Sequence, residues 1–293
     1  MLAAPSNGQK MLGKTVLVTG ANQGIGKAAA LALAAKGAHV VLVARNADKG
    51  KTALAEVQAA GSGRAELIVA DLSSQEQVRR AAAEFKSKHP RLDVLVNNAG
   101  VFVPERHVTV DGLEETFALN HLGYFLLTRE LLEVLHATAG ARIVNVSSEA
   151  HRGAKMHWDD LQFGETRYRG FKAYGQSKLA NVLFTYELAR RLEGTGVTAN
   201  CLHPGVIGSG FGQTYGGAMS VLVKIARPFM LSPEQGARTT VYLASSPEVA
   251  GVTGKYFSKC KAVRSNAVSY DLQSQQKLWS LSEQMVKAHA RAA

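Results

Sequence analysis

Cysteine is nearly absent: Cys201 and Cys260 are the only two in 293 residues. Two separated thiols, one of them inside an apolar, strand-like run, form no disulfide framework and point to a reducing compartment, the cytoplasm. Long apolar runs are missing as well. The longest, Ala28 to Ala35, falls far short of a membrane span, and the opening residues MLAAPSNGQKMLGK hold no apolar segment of signal-peptide length. They read as a frayed lead-in over 1–13, and the chain as soluble, with no integral membrane segment. A basic stripe is lacking too. The net charge is +11, but Lys and Arg are scattered and lack the interleaved aromatics of a nucleic-acid surface, so no nucleic-acid partner is expected. The excess suits attraction of anionic ligands. Its densest stretch, Lys255 to Arg264, reads first as a solvated face and second as a weak lipid contact. His151, His157 and His203 have no Cys or acid at metal-ligating spacing, so no metal is expected.

What the chain does have, at 46% hydrophobic residues, is material for a substantial core and a regular alternation of β-branched runs with helical stretches. Strands are expected at 15–19, 39–44, 66–70, 92–96, 142–146 and 197–202. Helices lie between them, including 113–136 and 174–192. No repeat, low-complexity tract or linker interrupts the order. The pattern predicts an α/β fold: a single domain over 1–293 built on a doubly wound (Rossmann) parallel sheet of about seven strands, with helices on both faces. Such sheets bind ligands at the carboxyl ends of their strands.

The first strand runs into Gly20-Ala-Asn22-Gln23-Gly24-Ile25-Gly26, and an Ala/Leu-rich helical stretch follows to Lys36. Glycines let the backbone approach a pyrophosphate, and the helix start offers free N–H groups and the positive end of its dipole. In its Gly-x-x-x-Gly-x-Gly spacing this segment resembles the cofactor turn of the short-chain dehydrogenase/reductase family. The second strand ends in Ala44-Arg45, where an acid would accept from the adenosine ribose. A missing acid and a guanidinium suited to phosphate favour NADP(H) over NAD(H). Asp71 and Leu72 resemble the family pair around adenine, although an Asp after a strand is also a common helix cap. Asn97-Asn98-Ala99-Gly100 matches the family's Asn-Asn-Ala-Gly signature beside the cofactor ribose. After the sixth strand, Pro204, Gly205, Val206 and Ser209 resemble the segment that contacts nicotinamide, and the glycine-dense stretch within 205–232 the segment that covers substrate.

Carbonyl–alcohol chemistry needs a proton donor and a dipole on the substrate oxygen, besides a hydride. Tyr174-Gly-Gln-Ser-Lys178 supplies the donor: residues four apart share a helix face, and an ammonium beside a phenol favours phenolate. Ser148 resembles the family serine that bonds the substrate oxygen, and Asn120 the helix asparagine that anchors a water in the proton relay. Read without the resemblance, Asn120 is rather a satisfied packing residue. Tyr-x-x-x-Lys occurs twice, because Tyr168 precedes Lys172. Gly170 interrupts that copy, whereas Leu179, Val182, Leu183 and Tyr186 continue a helical period after Tyr174. Tyr174 is therefore the catalytic candidate, and Tyr168 a loop residue near the mouth. Asn145-Val-Ser-Ser148, the long loop before Tyr174, His203-Pro-Gly and Gly254-Lys-Tyr-Phe-Ser258 look most like the retinol-dehydrogenase-like branch, here without its N-terminal anchor. The resemblance implies an NADP-dependent oxidoreductase acting on a lipophilic small-molecule carbonyl or alcohol. A non-catalytic NADP(H)-binding regulator is the alternative, and a homo-oligomer is left open.

Overall fold

Aliphatic and β-branched residues fill β1 (Thr15–Thr19), β2 (His39–Ala44), β4 (Val94–Asn97) and β5 (Arg142–Val146), and nearly every side chain in them is buried. Burial on both faces makes such runs continuous rather than alternating. In the computed structural model, which describes residues 11–61, 64–205 and 231–288, they join β3 (Ala65–Val69), β6 (Thr198–His203), β7 (Tyr256–Ser258) and β8 (Lys261–Val263). The eight form one sheet of order β3-β2-β1-β4-β5-β6-β7-β8. All pairs are parallel except β7 with β8. The count is one above the seven expected: β8 is three residues long and exposed on each of them, so no apolar pattern marks it.

Helices α1 (Gly24–Ala35) and α2 (Ala47–Ala60) cover one face with a later helix, α7 (Pro233–Ser245), over a core that includes Val16, Leu33, Leu42 and Leu243. The other face carries α3 (Gln75–Lys88), α5 (Gly123–His136), α6 (Gly170–Arg191) and α8 (Leu272–Ala288), packed over Leu17, Val41, Phe85, Phe125 and Leu183. The strand order reverses between β1 and β4, which opens a crevice at their carboxyl ends.

Three expectations are corrected. The helix expected from 113 begins as the short α4 (Glu115–Phe117), then widens into a π-helical turn over Ala118–Leu122 before α5. Helix α6 starts at Gly170, four residues before Tyr174, and its exposed Phe171 and Lys172 give that first turn no apolar period. The lead-in is fixed at 11–13, where Met11 is buried and its N–H donates to Lys36 O at 3.0 Å. Residues 1–10, and 206–230 of the expected substrate cover, lie outside the described residues. Among the described residues no helix is long and apolar enough to cross a membrane. Both cysteines are free; Cys201 is buried and Cys260 half-buried.

Candidate active site

Gly20 closes β1 at φ +64°, and a Cβ there would stand 2.8 Å from Ala99 Cα; at Gly26 it would stand 2.3 Å from Gly20 O. The turn is therefore packed backbone against backbone, with no room for side chains. Helix α1 starts at Gly24 after Gln23, whose side chain caps nothing, and no acid stands in its first turn. Uncapped N–H groups at the positive end of a helix dipole, framed by bare glycines, fit a pyrophosphate. Asn22 is half-buried at the turn, Gln23 exposed, and Ile25 half-buried against Ala28, Ala29 and Ala237.

The β4 loop is fastened to this turn. Thr19 Oγ1 donates to Val96 O (3.3 Å) and accepts from the N–H groups of Asn98 (2.8 Å) and Ala99 (3.0 Å). Asn98 Nδ2 donates to Thr19 O at 2.8 Å. Asn98 thus locks the two loops that frame the crevice. At the end of β2, Arg45 is exposed and its Nη1 lies 3.7 Å from Asp71 Oδ2. Asp71 does not cap α3. Its Oδ1 accepts from Ser73 N–H (2.9 Å) and Ser73 Oγ–H (2.7 Å), while Ser74 caps the helix. Leu72 is buried behind it. Pro204 and Gly205 follow β6, Gly205 at φ +95°; Val206 and Ser209 lie outside the described residues.

Asn120, Lys178 and Gly100 meet. A Cβ on Gly100 would lie 3.2 Å from Asn120 Oδ1 and 3.3 Å from Lys178 Nζ, so both polar ends face the same bare glycine. Asn120 sits in the π turn, fully buried. Its Nδ2 donates to Val101 O (2.9 Å) and Ser177 Oγ (3.0 Å), and its Oδ1 accepts from Val101 N–H (2.7 Å). Asn181 Nδ2 donates to the Asn120 carbonyl at 2.9 Å. Lys178 Nζ donates to Val146 O at 3.2 Å and stands 5.6 Å from the centre of the Tyr174 ring. Burial pushes the Lys178 ammonium well down, to about 7. Ser148 follows Val146 by two residues at the end of β5, half-exposed, and His151 Nδ1 lies 2.6 Å from its carbonyl oxygen.

Tyr168 is placed differently. It precedes α6, and its Oη lies 3.1 Å from each of Val103 O, Glu114 Oε1 and Thr116 Oγ1, with its one proton shared between the first two. Burial and the Glu114 charge push its phenol up, away from proton transfer. Sequence reasoning missed Tyr124, whose ring centre lies 5.7 Å from Lys178 Nζ and whose buried hydroxyl has no hydrogen bond. Its place four residues after Asn120 was the available signal. Also missed were Ser177, Asn181 and Ser147, whose Oγ donates to Lys178 O at 2.7 Å. Phe102 forms an apolar wall beside the site, its ring 6.0 Å from that of Tyr174 and 4.8 Å from that of the exposed Phe171. A separate pocket of about 600 Å³ lies at the other end of β6, between Tyr186, Arg190, Thr198 and Lys255, and no residue named above for this site lines it.

A family profile described as short chain dehydrogenase matches residues 14–218. Human "Retinol dehydrogenase 14" is 44% identical over 295 residues, covering 94% of this chain and 87% of that protein. Mouse "Retinol dehydrogenase 12" is 43% identical over 272 residues, covering 92% of this chain and 85% of its own length. Among solved structures, an uncharacterized protein from Mycobacterium Paratuberculosis superposes with a TM-score of 0.76 at 34% identity, covering 94% of both chains.

Proposed function

The chain belongs to the short-chain dehydrogenase/reductase family, and from that premise we propose that it is an oxidoreductase interconverting lipophilic carbonyls and alcohols with NADP(H). The observation that carries the reading is the meeting of Lys178 Nζ and Asn120 Oδ1 over Gly100, with the Tyr174 ring 5.6 Å from the same ammonium. When bound, the nicotinamide nucleotide supplies the hydride or takes it up. The glycine turn and the uncapped start of α1 would hold its pyrophosphate, Arg45 the 2′-phosphate, and Asp71 with Leu72 the adenine. Asn98, Ala99 and Gly100 would face its ribose, and Pro204 with Gly205 the nicotinamide.

In reduction, Ser148 Oγ–H donates to the substrate oxygen and Tyr174 Oη gives it the proton; in oxidation the phenolate takes that proton back. A charged Lys178 favours the phenolate electrostatically. Asn120 braces the β4 loop against α6, and its Oδ1 together with Lys178 Nζ marks where a water would extend the proton path. Phe102 and Phe171 beside Tyr174 suit an apolar substrate, in line with relatives named retinol dehydrogenases. The free thiols of Cys201 and Cys260 suit a reducing compartment.

The test is a panel of aliphatic and aromatic aldehydes and ketones, followed by NADPH and NADH absorbance, with cofactor dissociation constants from fluorescence titration. A partly exposed guanidinium–phosphate bond is worth on the order of 1.5–3 kcal/mol, so NADPH should bind roughly tenfold to a hundredfold tighter than NADH. Arg45→Ala should erase most of that gap while leaving NADH unchanged. Equal affinities in the wild type refute the NADP assignment, and tight NADPH binding without turnover across the panel favours a regulator.

A further inference from the structure

Away from the crevice, at the amino edge of the sheet, three side chains from three elements converge. His39 opens β2 two residues before Val41, and Val41 is paired with Glu66 of β3. Side chains alternate along strands, so His39 and Glu66 stand on one face as diagonal neighbours. Helix α3 covers that face, and its C-terminal capping residue, His89, comes down on the same edge with Phe85 4.7 Å from its ring. His39 Nε2 lies 3.0 Å from Glu66 Oε1, and His89 Nε2 lies 3.5 Å from Glu66 Oε2. The three donor atoms all fall within 4.8 Å of one another.

His89 is only 7% exposed, and its buried Nε2 has no hydrogen bond. In the tautomer protonated at Nδ1, that nitrogen carries a free lone pair 3.5 Å from the Glu66 carboxylate, which is what a metal ligand needs. Lys88, the neighbouring cation, is paired with Glu84 at 2.8 Å. We propose that His39, Glu66 and His89 bind a divalent transition-metal ion of the zinc class. Two imidazole nitrogens and one carboxylate oxygen are a zinc donor set, and three protein ligands leave a fourth position to water. Donors at ordinary zinc distances stand roughly 3.3 Å apart on a tetrahedral ion. The two histidine–carboxylate distances, 3.0 Å to Oε1 and 3.5 Å to Oε2, lie on either side of that spacing, and a turn of the carboxylate would present one oxygen to both. The wider gap is closed by His39 and Glu66, whose side chains are 25% and 39% exposed and free to adjust. The ion fastens the end of α3 to β2 and β3. None of His151, His157 and His203, the histidines that stand out in the sequence, takes part.

The test uses full-length, tag-free protein stripped with chelator and titrated with ZnCl₂ by calorimetry, with Co²⁺ absorption as a probe of ligand geometry. One ion per chain is expected, with loss of affinity of at least tenfold in both His39→Ala and Glu66→Gln. A hundredfold excess of free Zn²⁺ over its dissociation constant should raise Tm by roughly 5 °C, and NADPH binding should not change. Both substituted side chains are partly exposed, so these variants keep the test open should His89→Ala fail to fold. Absence of one-to-one binding, or Zn²⁺ affinity that survives both substitutions, overturns the proposal.

Discussion

At its carboxyl end β1 turns through Gly20 into α1, which starts with no side-chain cap and no acid in its first turn. At its amino end, Thr15 N–H donates to Asp93 Oδ2 at 2.9 Å, and the same carboxylate takes Arg91 (2.7 and 2.9 Å) and Lys14 (2.9 Å). The contrast extends to the ionisable groups. Lys178, behind the crevice, is 3% exposed, and Asp93, at the opposite edge, is 4% exposed. Burial opposes the charge on both. For Lys178 it prevails, because Val146 O is the single hydrogen-bond acceptor on its ammonium among the described residues, and the group is pushed down to about 7. For Asp93 burial alone would raise the carboxyl, but hydrogen bonds from Arg91, Thr15 and Lys14 outweigh it and hold the group below its usual range. Both side chains are covered, but the ammonium lies deeper with one partner while the carboxylate has three, so depth and partners together decide. The sheet supplies three partners at the amino edge of β1 and leaves Lys178 with one at the crevice.

The largest expected effect tests whether the carboxyl end is chemical rather than merely open. Tyr174→Phe removes one hydroxyl and keeps the ring against Phe102, so folding and NADPH binding should persist while kcat falls by roughly 10²–10⁴-fold. Tyr168→Phe should change kcat by less than about tenfold, because that hydroxyl is committed to Val103, Glu114 and Thr116. Steady-state kinetics of the two variants decide. A dead Tyr168→Phe with an active Tyr174→Phe would reverse the assignment of the whole active-site helix.

The two ends also differ in how legible they are. The strands and the loops at their carboxyl ends are contiguous chemistry, a buried β-branched run followed by Gly20–Gly26 or Asn97–Gly100, and so is Tyr174–Lys178 within α6, each complete within a few residues. The amino edge is assembled from distant pieces. Nothing near Asp93 announces that it will bond Thr15, and His39, Glu66 and His89 come from three elements with no motif between them. Within the site, the π turn at Ala118–Leu122 has no propensity signal, so the fastening of Asn120 to Val101 and Ser177 could not be read. Strand β8 and the first turn of α6 were missed because exposed side chains, all of β8 and Phe171 with Lys172, carry no period.

A second expectation sharpens the contrast through stability. Lys178→Met should abolish most activity yet stabilise the free protein by up to a few kcal/mol, since one pKa unit is about 1.4 kcal/mol and relaxation absorbs part of the shift. An unfolded lysine titrates near 10.4 and the folded one at about 7, so between those values the unfolded state holds more protons. The wild type therefore gains stability as pH rises through that window. The advantage of Lys178→Met should be full below about pH 7 and shrink toward pH 10. Denaturant titrations of both proteins at about pH 6.5, just below that window, and about pH 9.5, near its upper end, check it. A Lys178→Met protein less stable than wild type at the lower pH would mean that the ammonium is well paired after all.

The smallest effect belongs to the amino end. In Asp93→Asn the side chain keeps one acceptor oxygen and presents an amide donor to Arg91, Lys14 or Thr15. The two cations are roughly half exposed and recover water, but Thr15 N–H is buried at the start of β1. A buried donor left short, together with two weakened ion pairs, costs roughly 1–3 kcal/mol. Because the folded carboxyl titrates below its unfolded value, its stabilisation is present above about pH 4 and is lost as pH falls through the folded value. The gap between wild type and Asp93→Asn should therefore be constant near neutrality and close in acid. Kinetics should stay within about twofold, because no catalytic or cofactor-facing group touches this carboxylate. Stability measured by denaturant at several pH values, beside kcat and the NADPH dissociation constant at one, separates the two ends. If Asp93→Asn impairs turnover while leaving stability unchanged, the division of labour between the ends of β1 fails.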